Sequence, residues 1–148
     1  MTTALAGEDM ARRLQHAHPD AVENWDAESV RVTPEAVHDA CRFFKETPGL
    51  SMDFLVAVTA VDYIEYFEMV YHLLSLQNNH SAVLKTRLYD RDEPTVSSVV
   101  DLWRGAELQE REVWDLMGVR FTGHPNLKRI LTWEGFPGHP LQKSHLGG

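Results

Sequence analysis

The sequence predicts an α+β domain, a mostly antiparallel sheet with helices on one face, followed by an extended C-terminal arm. Three observations carry this. Between residues 54 and 89, three strand-like apolar segments follow one another, two of them flanking an Asn78-Asn79 turn. Helical periodicity with start and stop signals frames that sheet on both sides. Beyond Gly118, prolines and glycines break every regular pattern while large apolar residues continue.

Taken in order, residues 8–17 fit a short amphipathic helix that stops before His18-Pro19. Residues 30–33 read as a short strand. Thr33-Pro34-Glu35-Ala36 is a helix start, with Thr33 as N-cap and Pro34 at the first helical position. Val37, Cys41 and Phe44 share one helical face, and Pro48-Gly49 ends the helix. Residues 54–61 are almost continuously apolar, as a strand covered on both faces would be. In the next segment Phe67, Met69, Tyr71 and Leu73 fall on one side and Glu68 and His72 on the other. Leu84, Thr86 and Leu88 then alternate with Lys85, Arg87 and Tyr89, and Asn78-Asn79 tolerates the positive backbone angles of a hairpin turn. Ser97 or Ser98 can cap a short helix reaching Trp103, which Gly105 interrupts. A second helix runs over 106–117 and Gly118 is placed to end it. Residues 119–121 form one last strand. The division is therefore an α+β domain over residues 1–118 and an arm over residues 119–148.

Composition narrows the function. A chain of 148 residues is the size of one ordinary domain and buries enough surface for a real core without staples. Its longest apolar run falls far short of the ~20 residues needed to span a bilayer, so membrane association is expected to be peripheral. Residues 1–14 mix Glu8 and Asp9 with Arg12 and Arg13 around no apolar stretch, unlike a targeting peptide. Cys41 is the only cysteine, which excludes an internal disulfide and an iron–sulfur cluster held by four thiolates of this chain. No glycine pattern matches a nucleotide cradle. The net charge of −8 argues against nucleic acid as a partner. That charge lies wholly in residues 1–104, which hold 9 basic and 17 acidic side chains; residues 105–148 hold 5 of each, with three histidines. The C-terminal third is thus set apart as a candidate interaction segment.

Within it, Leu127, Ile130, Leu131, Trp133, Phe136 and Leu141 are apolar on a segment with no regular structure to bury them. Each side chain is worth roughly 1.5–3 kcal/mol if buried elsewhere. Two outcomes are physical: the arm folds back over its own domain, or it lies on another protein.

The stretch Glu110-Arg111-Glu112-Val113-Trp114-Asp115-Leu116-Met117-Gly118-Val119-Arg120-Phe121-Thr122-Gly123-His124-Pro125-Asn126-Leu127-Lys128-Arg129-Ile130-Leu131 closely resembles the signature of the 30-kilodalton-type subunit family of NADH:quinone oxidoreductase, respiratory complex I. Val61-Asp62-Tyr63, Val70-Tyr71-His72-Leu73-Leu74-Ser75 and Asp101-Leu102-Trp103-Arg104-Gly105-Ala106 extend the likeness over roughly residues 50–143. Two departures stand out. Asn126-Leu127-Lys128-Arg129 replaces the usual Asp-Leu-Arg-Arg, and Gln142-Lys143-Ser144 the usual Arg-Lys-Asp.

The resemblance implies a non-catalytic structural subunit, with no catalytic, cofactor-binding or metal-ligating residue of its own. Flavin and iron–sulfur clusters would sit in partner subunits, and NADH and quinone would be substrates of a proton-translocating complex. The implied partner is the 49-kilodalton-type subunit at the quinone site, with other peripheral-arm subunits beside it. The implied location is the cytoplasmic face of a bacterial inner membrane, reached only through the complex. The residues it implies for partner binding are Glu110, Arg111, Glu112, Asp115, Phe121, His124, Pro125, Leu127, Arg129, Ile130, Leu131, Trp133, Phe136, His139 and Leu141.

Other readings compete. By composition alone, Glu110 to Asp115 is a solvated helix face; under the resemblance it becomes an interfacial polar lattice. His124, His139 and His145 suggest a free-standing metal-dependent hydrolase, but zinc needs three or four convergent ligands, and Gly-His-Pro suits a turn. Asp62-Tyr63 reads as a strand-end turn rather than an acid–phenol pair. Trp103, Trp114 and Trp133 serve better as interface anchors than as a quinone stack. A small-ligand module on the sheet face, and the equivalent subunit of a membrane-bound hydrogenase or another complex I-like dehydrogenase, complete the set.

Overall fold

The computed structural model describes residues 2–132 and 137–142. Its elements are β1 (Thr3–Ala4), α1 (Gly7–Ala17), β2 (Val22–Trp25), β3 (Val30–Val32), a 3-10 turn (Pro34–Ala36), α2 (Val37–Glu46), β4 (Phe54–Asp62), β5 (Phe67–Ser75), β6 (His80–Leu88), β7 (Thr95–Ser97), α3 (Ala106–Met117) and β8 (Arg120–Thr122).

The three long strands form an antiparallel meander, with Tyr71 of β5 facing Val58 of β4 on one side and Leu84 of β6 on the other. Asn79 takes the positive φ of 54° that its place in the β5–β6 turn demands. The sheet order is β2-β3-β6-β5-β4, and β1 adds to β6 beside β3. The pairings of β3 and β1 with β6 are parallel, so the sheet is mixed but mostly antiparallel. A second, two-stranded parallel sheet joins β7 to β8.

The alternation read in β5 decides where the core lies. Phe67, Met69, Tyr71 and Leu73 are buried with Val30, Val32, Leu84 and Leu88 from adjoining strands, and Met10, Leu14, Val37, Cys41 and Phe44 of the helices join the same cluster. The opposite face carries Arg31, Lys85 and Arg87, each half-buried. Helices on one face of the sheet, as expected, are what this burial describes.

Three readings change. β4 is covered on one face only, because the helices lie on one face of the sheet, and it is also an edge strand: Phe54, Val56 and Val61 are exposed, and a bulge at residue 56 shifts the register. The expected short helix after Ser98 is a single turn, in which Leu102 and Trp103 both donate to the Val99 carbonyl; the Ser98 hydroxyl caps it by accepting the Val100 N–H at 3.2 Å, and itself donates to Glu110 of α3. The Trp103 indole is buried and donates to the Met52 carbonyl at 3.1 Å, a core role rather than an interface one. Asp62-Tyr63 is a turn: the Asp62 carboxylate closes it on the Ile64 N–H and takes a bidentate grip from Arg91 at 2.6 and 3.0 Å.

α3 packs beside β4. The side-chain carbonyl of Gln109 accepts the Val58 N–H at 2.7 Å, covering part of an edge that would otherwise be open. Gly118 ends α3 at φ 79°, the left-handed position that glycine supplies. Among the described residues, no helix is long and apolar enough to cross a membrane.

Candidate functional site

α3 has two working sides. One carries Ala106, Glu110, Val113 and Met117, a stripe at helical spacing that is buried in the core. Glu110 is a carboxylate within that apolar stripe. It accepts the Ser98 hydroxyl at 2.6 Å and the Val99 N–H at 2.9 Å, so it holds the turn after β7 against the helix. Burial pushes its carboxyl up to about 7, against the pull of those two hydrogen bonds and with a small further push from Asp101. Burial also raises the neighbouring Cys41 thiol and Tyr71 phenol. Among the described residues the Tyr71 hydroxyl has no hydrogen-bond partner.

The other side of α3 seats the arm. Arg111 and Asp115, one turn apart, both reach across to it. The Arg111 guanidinium donates to the carbonyls of Lys128 and Arg129 at 3.1 and 3.2 Å. The Asp115 carboxylate is fully buried and accepts the backbone N–H groups of Ile130, Leu131 and Thr132 at 3.0, 2.6 and 2.9 Å, together with the Thr132 hydroxyl. Arg129 lies 3.8 Å from it. Burial acts to raise the Asp115 carboxyl, but these donors outweigh it and hold the group down at about 2.

Further along, residues 139–142 lie over the C-terminal end of α3, where helix carbonyls lack intrahelical partners. The Leu141 N–H donates to the Leu116 carbonyl at 2.8 Å, and the Gln142 side-chain amide to that of Met117 at 2.6 Å. His139 Nδ1 lies 2.9 Å from the Asp115 carbonyl, and its ring rests on Trp114. His124 Nε2 meets the Glu107 carbonyl at 2.9 Å while its Nδ1 accepts the Asn126 N–H at 2.9 Å. These imidazoles bind backbone. Among the described residues no group of three His, Cys, Asp or Glu side chains could hold a metal ion.

The arm thus turns its polar groups inward and much of its apolar surface outward. Leu127 packs partly on the core, but Ile130, Leu131 and Leu141 are 37%, 61% and 50% exposed. Of the other residues singled out in the sequence, Glu110 and Phe121 are buried in the chain's own core, and Glu112 and Pro125 are exposed. Trp133, Phe136 and His145 lie outside the described residues. Sequence reasoning missed the roles of Ser98 and Thr132. A glutamate inside an apolar stripe was the available signal for the first; nothing local signalled the second.

Residues 30–147 match the family model described as respiratory-chain NADH dehydrogenase, 30 Kd subunit. Among curated proteins, the chain is 44% identical to the C-type subunit of the NADH-quinone oxidoreductase of Roseiflexus castenholzii, over 95% of this chain and 84% of that one. It is 43% identical to the protein of the same name from Moorella thermoacetica, over 92% and 93%. Among solved structures, it superposes with a TM-score of 0.65 and 31% identity on a chain of the membrane-bound sulfane sulfur reductase, an archaeal respiratory membrane complex, covering 85% of this chain and 75% of that one.

Proposed function

The chain belongs to the family of the 30-kilodalton subunit of respiratory-chain NADH dehydrogenase, and from that premise we propose that it serves a complex I-like NADH:quinone oxidoreductase as a structural subunit that docks through its C-terminal arm. The whole complex carries electrons from NADH to quinone and translocates protons. This chain contributes shape rather than redox chemistry, with flavin and iron–sulfur clusters in its partners. Its direct neighbour is the 49-kilodalton-type subunit at the quinone site, and it reaches the cytoplasmic face of the membrane through that assembly.

The observation that carries the docking reading is the orientation of the arm. A segment that served only to cover its own domain would turn Ile130, Leu131 and Leu141 inward, since each buried side chain of this size is worth roughly 1.5–3 kcal/mol. Here they are exposed together, on backbone held in place by polar bonds. Exposed apolar side chains on pinned backbone are what a protein interface uses.

The test is co-purification of the tagged chain from its own cells, with mass spectrometric identification of whatever accompanies it. The wild-type chain is expected to bring down the 49-kilodalton-type subunit and NADH:quinone activity, and Leu131→Asp with Leu141→Asp to reduce both sharply. A chain recovered alone, or equal recovery with both substitutions in place, overturns the reading. The likeness to a chain of a sulfane sulfur reductase favours a second reading, the same structural position in a respiratory complex with another electron donor. Capture of the complex without NADH oxidation would select it.

A further inference from the structure

We infer that Asp115 is a positioning residue which forms the docking surface before any partner arrives, so that Ile130, Leu131 and Leu141 meet an apolar groove of the neighbouring polypeptide as a finished ridge and not as a loose tail that folds on contact. The inference rests on the docking reading above and goes beyond it, since a tail ordered by its partner would dock equally well in principle.

Three features carry it. First, the donors on Asp115 are the N–H groups of three consecutive residues, Ile130, Leu131 and Thr132, plus the Thr132 hydroxyl. Three successive amides pointing at one carboxylate fix the backbone at two exposed apolar positions of that loop, Ile130 and Leu131. Second, the carboxylate is fully buried, so water does not compete for it as it would at a surface pair. Third, the loop is held independently from both sides. Arg111 grips the carbonyls of residues 128 and 129 just before the clasp, and residues 139–142 fasten to the end of α3 after it. Gly118 allows this close approach: a Cβ there would lie 2.6 Å from the Gln142 side chain and 2.8 Å from that of His139.

The chemistry also selects the kind of partner. Arg129, which a lipid headgroup or an acidic peptide would need to reach, is turned into the clasp, where it bonds the Thr132 hydroxyl and the Gly138 carbonyl. Among the described residues, the large apolar side chains exposed here are Ile130, Leu131 and Leu141, with Lys128 exposed beside them. The matching surface is an apolar groove on another polypeptide of the complex.

Ordering one residue's backbone costs a factor of roughly five or more in an equilibrium constant, so loosening a three-residue loop lowers the population of the docking-competent form by about 100-fold or more. Loss of a pre-existing competent state slows association and leaves dissociation unchanged. Removal of a contact at the interface does the reverse. The experiment combines hydrogen exchange on the isolated full-length chain with surface-plasmon kinetics against the purified 49-kilodalton-type subunit. In the wild-type chain alone, the amides of Ile130, Leu131 and Thr132 are expected to be protected. Asp115→Asn is expected to abolish that protection and slow association about 100-fold with dissociation unchanged. Thr132→Val, which leaves α3 untouched, should produce a smaller effect of the same kind, about five- to tenfold, and keeps the test alive if Asp115→Asn does not fold. Leu131→Asp should keep the protection and speed dissociation.

Unprotected amides in the isolated wild-type chain overturn the inference, as does Thr132→Val or Asp115→Asn losing protection while associating at the wild-type rate. If Leu131→Asp docks like the wild type, the docking reading fails, and with it this use of the clasp, even though protection persists. Leu131-dependent binding to vesicles of anionic and zwitterionic lipid, with none to the 49-kilodalton-type protein, overturns the choice of a protein partner.

Discussion

Replacing Glu110 by glutamine should remove a pH dependence from the stability of this chain. The carboxyl sits near 4.5 in an unfolded chain and is pushed up to about 7 in the fold. The native state therefore holds its proton more tightly. Below pH 4.5 both states are protonated and Glu110 adds no pH dependence. As pH rises from 4.5 towards 7 the unfolded chain ionises first, and stability falls; above 7 both ionise and the loss levels off. With 1.36 kcal/mol per pKa unit, the full loss is about 3 kcal/mol, most of it between pH 5 and pH 8. Glutamine keeps the shape and cannot ionise; its one carbonyl oxygen can still accept the Val99 N–H, while its NH2 replaces the oxygen that faced the Ser98 hydroxyl. One amide N–H can meet the Ser98 hydroxyl oxygen and the other loses its water, which costs about 1–3 kcal/mol, equally at every pH. The offset and the slope are thus separable. In urea unfolding at pH 5 and pH 8, the wild-type midpoint should fall by about 1 M more than that of Glu110→Gln, for a slope near 2 kcal/mol/M. Parallel shifts in the two proteins would show that Glu110 ionises as freely in the fold as out of it, and the burial argument would fail.

Two further substitutions probe the frame that carries the site. Arg91→Ala removes the bidentate partner of the buried Asp62 carboxylate and a guanidinium stacked 4.5 Å over Phe67. It should cost about 3 kcal/mol, read as a lowered urea midpoint, and Asp62→Asn in the same background should recover part of that. Gly7→Ala would place a Cβ 1.9 Å from the Asp26 carbonyl oxygen and 2.4 Å from that of Ser29. Both obstacles are backbone, so α1 must move off the β2–β3 turn, and a melting temperature lowered by about 10 °C is expected.

What the sequence made legible depended on how local the deciding interaction is. α3 could be bounded because its apolar stripe and Gly118 lie within one stretch of chain. The same holds for β5, whose alternating residues separate into a core face and an outer face. β1, β2 and β7 were missed because each is only 2–4 residues long, too short for a side-chain period to read, and β1 and β7 are in addition held by backbone pairing to strands far along the chain. β4 was misjudged for the opposite reason. Its apolar run was visible, but whether a strand lies inside or at the edge of a sheet depends on its neighbours. At the site, the apolar residues of the arm could be picked out, and so could Asp115. That Asp115 binds the arm could not, because its donors lie 15–17 residues away, beyond β8, in a loop with no side-chain period to read.

Glu110 and Asp115 show how one helix does two jobs with the same functional group. They are five residues apart, about 140° around the helix, so they serve different sides of it. Both are fully buried. What separates them is the number of donors each finds. Glu110 has a hydroxyl and one N–H, with no cation among its described partners, and burial wins. Asp115 has a hydroxyl, three N–H groups and Arg129 nearby, and the donors win. The consequence is mechanical. Glu110 ties α3 inward to the turn after β7, Gln109 ties it to the edge of β4, and Asp115 ties the arm outward to the same helix. The exposed residues of the arm are thereby fixed relative to the sheet through one rigid element. The scaffold role proposed above requires that rigidity: a docking surface that moved independently of the fold behind it could bind, but it could not hold anything in place.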